Sequence, residues 1–137
     1  NNWSVALIDH VGADVIAVRR TGEFQRLAIS VKGRNFPDTE SKSFDFDRNN
    51  INKLKDTANM LGMIPAVSFV FVDTQEGIRK IRIIMAELST LEWLAENSEA
   101  YFVNYNSKME YKLNLHSHKE QTIWKILNKH PIFFIQS

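Results

Sequence analysis

Apolar and polar positions alternate along much of the chain, and the period of alternation changes where one element gives way to the next. The run WSVALI (3–8) has the pattern of a first strand. In ADVIAV (13–18), Asp14, Ile16 and Val18 share one face, and Ala13, Val15 and Ala17 the other. RRTGEF follows as a hairpin turn, with Gly22 as the residue able to take positive φ. QRLAISVKG (25–33) reads as a third strand. Its Leu27, Ile29 and Val31 make one apolar face, and Arg26, Ala28, Ser30 and Lys32 make the other. That pattern predicts a strand covered on one side and polar on the other.

RNFPDTESKSFDFD (34–47) reads as a polar loop. A helix is expected from Asn49 or Asn50, with Ile51, Leu54, Ala58 and Leu61 at helical spacing, Gly62 as its C-terminal cap and Pro65 just beyond. AVSFVFV (66–72) is almost wholly apolar and belongs in the centre of a sheet; IRKIRIIMA (78–86) is the next strand. Ser89 with Glu92 forms a capping box for a short helix, and Ser117 with Glu120 forms one for a second. AYFVNYN and MEYKLNL (100–106 and 109–115) pair as an expected hairpin, and PIFFIQ (131–136) closes the chain as a strand. With no repeat and no linker-like tract, residues 1–137 are expected to form one domain.

Composition narrows the class without naming a partner. Of 137 residues, 44% are hydrophobic and 24% charged, as in a globular domain with its own core. There is no cysteine, which excludes disulfides, thiolate metal sites and cysteine nucleophiles and suits a cytoplasmic location. The net charge of +1 means that a nucleic acid would have to be met by a local basic patch. No apolar run approaches the ~18–20 residues of a membrane span, so no membrane partner is expected.

Chemistry concentrates in residues 12–34. In a strand, residues i and i+2 share a face about 6.5–7 Å apart, so Ser30 and Lys32 point the same way. If 13–18 and 25–33 pair as a hairpin, Asp14 falls near the far end of the third strand. Two readings of Asp14 and Lys32 stay open. They form a strand-edge ion pair, worth at most about 1 kcal/mol if exposed. Or they hold a divalent cation and a phosphate, with the carboxylate supplying a hard oxygen ligand and the ammonium offsetting developing charge.

The order strand, GADVIAV, turn, RLAISVKGR, polar loop, helix, IPAVSFVFV resembles the PD-(D/E)xK nuclease superfamily over residues 3–86. It is most similar to the small members related to Holliday-junction resolvases and restriction endonucleases. The family pattern G-x-D-x-(I/V) is matched by Gly12, Asp14 and Ile16; (E/Q)-x-K is matched at Lys32, with Ser30 in place of the acid. The resemblance implies an α/β fold, with a central mixed sheet flanked by helices, a restriction-endonuclease-like core and added C-terminal strands and helix. It implies Mg²⁺-dependent cleavage of DNA, with Mn²⁺ as a substitute. Asp14 would be a metal ligand, the carbonyl of Val31 a further ligand, and Lys32 the electrostatic catalyst. Asp45, Asp47 and Asp56 are the candidates for a replacement acid. The family's helix before the first strand is not matched, so an upstream segment is expected ahead of Asn1.

Around that centre, His10, Arg34, Lys42 and Arg48 are the candidate DNA contacts, beside Lys53 and Lys55. His116 and His118 read as surface histidines, and Trp3, Trp93 and Trp124 as core or element-end residues. YFVNY and PIFFI are the segments expected to build a homodimer or larger assembly. Ser30 also supports an alternative: a nuclease fold without activity, serving as a DNA-binding or protein-interaction module.

Overall fold

The computed structural model describes residues 3–20, 25–36, 43–75, 78–96, 111–114 and 133–136. The chain runs β1 (Trp3–His10), β2 (Ala13–Arg19), β3 (Gln25–Phe36), β4 (Ser43–Phe46), α1 (Arg48–Leu61), β5 (Ile64–Gln75), β6 (Ile78–Glu87), α2 (Leu88–Glu96), β7 (Tyr111–Asn114) and β8 (Phe133–Gln136). Six strands form one sheet in the order β1-β2-β3-β5-β6-β8, and β4 with β7 forms a second of two strands. The large sheet is mixed: β3 and β5 are parallel, and every other neighbouring pair is antiparallel. This is an α/β fold in which α1 lies on the crossover joining the two parallel strands.

Both faces of the sheet's centre are buried. Ala17, Leu27, Ile29 and Ala66 make a cluster on one face, with Trp3, Val15, Val31 and Met85 packed against it. On the opposite face Ala28, Val67, Phe69, Ile84 and Ala86 are at most 3% exposed. In the middle of β3 the face expected to be polar is covered, with Ser30 4% exposed and Ala28 sealed, while Arg26 nearer its start stays exposed. α1 contributes Ile51, Leu54, Thr57 and Ala58 to the interior. Its contacts to β3, β5 and β2 account for the covering that alternation could not reveal.

The ends of α1 are set by local chemistry. Asp47 is the N-cap, with extended φ and ψ; its Oδ1 accepts from the Asn50 amide at 2.8 Å and its Oδ2 from Asn50 Nδ2 at 2.6 Å. The helix thus begins at Arg48, slightly ahead of the expected Asn49 or Asn50. At the other end Gly62 takes φ 62° and ψ 40°, and the Met63 amide reaches back to the Ala58 carbonyl at 2.8 Å. That pairing is a Schellman closure.

Other expectations shift by a few residues. β3 runs on to Phe36, and β4 occupies Ser43–Phe46 within the expected loop; β4 pairs with β7. The strand at 111–114 is thus joined to β4, while residues 97–110 lie outside the described set. α2 follows β6 directly from Leu88, with Ser89 inside the helix. Leu88 and Leu91 are buried, so packing anchors that first turn, and Glu92 accepts from Lys55 Nζ of α1 at 2.5 Å. Trp3 is half-buried, with the Arg19 guanidinium 5.3 Å from its ring centroid, whereas Trp93 is 46% exposed. The expected helix near 117–127, and Trp124 with it, lies outside the described residues. None of the described helices is long and apolar enough to cross a membrane.

Candidate metal and phosphate site

The pairing of β2 with β3 runs from Arg19–Gln25 to Val15–Ile29 and stops there. Two residues further along β3, the carboxylate of Asp14 stands where a backbone partner of the Val31 amide would be. Val31 N–H donates to Asp14 Oδ2 at 2.7 Å, and Ser30 Oγ donates to the same oxygen over a long 3.4 Å. Both bonds fall on Oδ2, leaving Oδ1 without a donor among the described residues. In an antiparallel ladder a residue's N–H and C=O point to the same edge. The Val31 carbonyl therefore leaves β3 on the side where Asp14 stands. The result is an exposed carboxylate and a backbone carbonyl at one rim of the sheet, with the buried Ser30 hydroxyl behind them.

Asp14 owes its place to the turn before it. Val11 and Gly12 join β1 to β2, and Gly12 adopts φ 103°. A Cβ at Gly12 would come within 2.4 Å of the Lys53 carbonyl oxygen and 2.5 Å of its carbon, so the turn lies directly on the backbone of α1. Thr57 Oγ1, in a side chain 3% exposed, donates to the Val11 carbonyl at 2.5 Å from the same helix. Two residues on comes Asp14. Helix and hairpin are thus pinned together beside the rim.

Lys32 shares the face of Ser30, two positions along β3. Among the described residues no ion pair joins it to Asp14. Its ammonium lies instead 5.1 Å from the centroid of the Phe46 ring, and Phe46 is 1% exposed. Sequence reading missed this partner. Its only local signal was the alternation of Phe44 and Phe46 in a segment read as loop.

His10 ends β1 opposite Ala13, and Arg34 continues β3 two positions past Lys32, with Phe71 as its backbone partner. Arg48 is exposed at the start of α1. Lys42, His116 and His118 lie outside the described residues. Among the acids weighed as replacements, both Asp47 oxygens are occupied in capping α1, and Asp45 sits in β4 opposite Lys112. Asp56 is exposed on α1 and lines an open depression with Val11, Lys53, Thr57 and Met60. Among the described residues no three acidic or histidine side chains cluster as a metal site.

Sheet order, crossover and rim define an α/β chain with a carboxylate mounted where an antiparallel ladder ends. No family model matches the sequence, and no curated protein does. Among solved structures the chain is similar to Hjc, a Holliday junction resolvase from the archaeal hyperthermophile Archaeoglobus fulgidus. The match has a TM-score of 0.50 at 15% identity and covers 82% of this chain and 77% of that one. The shared property is the fold.

Proposed function

We propose that this chain is a metal-dependent nuclease of the PD-(D/E)xK type, a single domain that hydrolyses phosphodiester bonds of DNA. The observation that carries the reading is the Asp14 carboxylate, seated on the Val31 amide through one oxygen and free of described protein donors on the other. The likeness in fold to a Holliday junction resolvase supports it.

The donor set fits a hard divalent cation. Asp14 Oδ1 and the Val31 carbonyl are both oxygens, and Mg²⁺ takes oxygen ligands while keeping several waters. Mn²⁺ suits the same set. When bound, such a cation lowers the pKa of a coordinated water and offsets charge on a phosphate. The chain's own groups do the rest. Val31 N–H and Ser30 Oγ hold Asp14 in place. Lys32 brings a positive charge toward the oxygens on which negative charge develops. His10, Arg34, Lys42 and Arg48 are assigned to the DNA backbone, where cations position the duplex without reading it. Assembly as a homodimer and action in the cytoplasm belong to the same proposal.

The test is cleavage of plasmid, branched and single-stranded DNA with Mg²⁺ and with Mn²⁺. Asp14→Asn and Lys32→Ala are each expected to lower cleavage by about 100-fold or more, the scale of removing one charge-stabilising group, with the fold intact by circular dichroism. Wild-type protein inert on all three substrates with both metals refutes the reading.

Ser30 favours a second reading. A buried neutral hydroxyl donating to Asp14 stands where the family pattern has an acid, so position 30 adds no negative charge beside Asp14. On this reading the chain binds DNA or a protein without cutting. Ser30→Glu separates the two: metal binding or cleavage that appears only in the variant favours the inactive module, and tight Mg²⁺ binding by wild type in calorimetry excludes it.

A further inference from the structure

The environment of Lys32 differs from that of a cation waiting in solvent. Its ammonium stands over the face of Phe46, a ring whose backbone is held on both sides. On one side β4 pairs Phe46 with Tyr111; on the other, Asp47 is bound by Asn50 as the cap of α1. The ring is fixed in the interior, whereas Lys32 is half-buried on a side chain with four rotatable bonds. Of the two partners, the ring sets the position and the lysine follows.

We propose that Phe46 is the positioning residue for Lys32, holding its ammonium on the Ser30 face of β3 until a phosphate arrives. This rests on the nuclease reading given above. The choice of ring over carboxylate has a physical reason. An acid would neutralise the ammonium and would have to be displaced by the incoming phosphodiester. The negative face of an aromatic ring attracts the cation without neutralising it and offers no hydrogen-bond acceptor to compete with phosphate oxygen. Confining the flexible side chain beforehand reduces the ordering that the reaction would otherwise require. No covalent step involves Phe46.

The experiment replaces Phe46 by pentafluorophenylalanine, which keeps the ring's shape and reverses its quadrupole, and in parallel makes Phe46→Leu. In wild type the ε-methylene protons of Lys32 are expected upfield of those of the other lysines, through the ring current of Phe46, and to lose that shift in Phe46→Leu. On a four-way DNA junction with Mg²⁺, fluorination is expected to lower kcat about 3- to 10-fold, the scale of one partly desolvated cation–π contact, with KM unmoved. An absent upfield shift overturns the proposal. So does a kcat within twofold of wild type in the fluorinated protein, or a change confined to KM and Tm. Should wild type cleave nothing, the nuclease reading falls, and the spectrum alone then decides whether Phe46 sets the position of Lys32.

Discussion

Gly12→Ala tests the joint that carries Asp14, and its cost can be worked from the geometry. The substitution acts twice. A residue with a Cβ held at φ 103° sits in a sparsely populated region, at about 1–3 kcal/mol. The new methyl group would also lie 2.4 Å from the Lys53 carbonyl oxygen, which is backbone within a helix and cannot swing aside. Overpacking of that kind costs about 1–3 kcal/mol. A gain of about 0.4–1 kcal/mol from the stiffer unfolded chain opposes both. The net expectation is a loss of about 1–6 kcal/mol, set against the ~5–15 kcal/mol that holds such a domain together. With an unfolding entropy of about 2.1 cal/mol/K for each of 137 residues, Tm falls by about 3–4 °C per kcal/mol.

Two other glycines supply the controls. Gly62 has φ 62° but open space around its missing Cβ, so Gly62→Ala carries no clash: a conformational cost of about 1–2 kcal/mol, less the same gain of about 0.4–1 kcal/mol. Gly33 has neither positive φ nor a neighbour within 4 Å, so Gly33→Ala should be neutral or stabilising by about 0.4–1 kcal/mol. Urea titrations followed by far-ultraviolet circular dichroism, with m-values checked for constancy, give all three on one scale. The expected order of loss is Gly12, then Gly62, then Gly33. If Gly12→Ala costs no more than Gly62→Ala, the turn does not rest on the α1 backbone, and the account of how Asp14 is placed is wrong.

Two further substitutions probe the same frame. Asp47→Ala removes the cap of α1 and is expected to cost about 1 kcal/mol in urea titration, with Asp47→Ser recovering most of it; an unchanged midpoint in the alanine variant would refute the capping role. Thr57→Val keeps the shape but removes the hydroxyl that donates to the Val11 carbonyl, so a loss of about 0.5–1.5 kcal/mol is expected, with faster amide exchange at residues 11–14; unchanged exchange there would count against the hairpin–helix clamp.

What could be read in advance was whatever depends on near neighbours in the chain. The register of a hairpin follows from its turn, so β2 and β3 face each other and Asp14 arrives opposite the far part of β3. Spacing of Ile51, Leu54 and Ala58 predicts α1, and Gly62 its end, because caps and periodicity are properties of a few consecutive residues. An unbroken apolar run likewise placed β5 inside the sheet, between β3 and β6.

What only the tertiary structure decided involves residues far apart in sequence. Alternation in β3 is the same whether its second face meets water or a helix, so the burial of Ser30 awaited the position of α1. The pairing of β4 with β7 spans more than sixty residues, and no local pattern encodes such a partner. Without it Phe46 reads as part of a loop, and Lys32 as the mate of Asp14 rather than of a ring. Gly12 looks like an ordinary turn glycine until the backbone of Lys53 is seen against it. The physical reason is common to all three: propensity and periodicity act over a few residues, whereas contact between distant segments is settled by how the whole chain buries its apolar faces together.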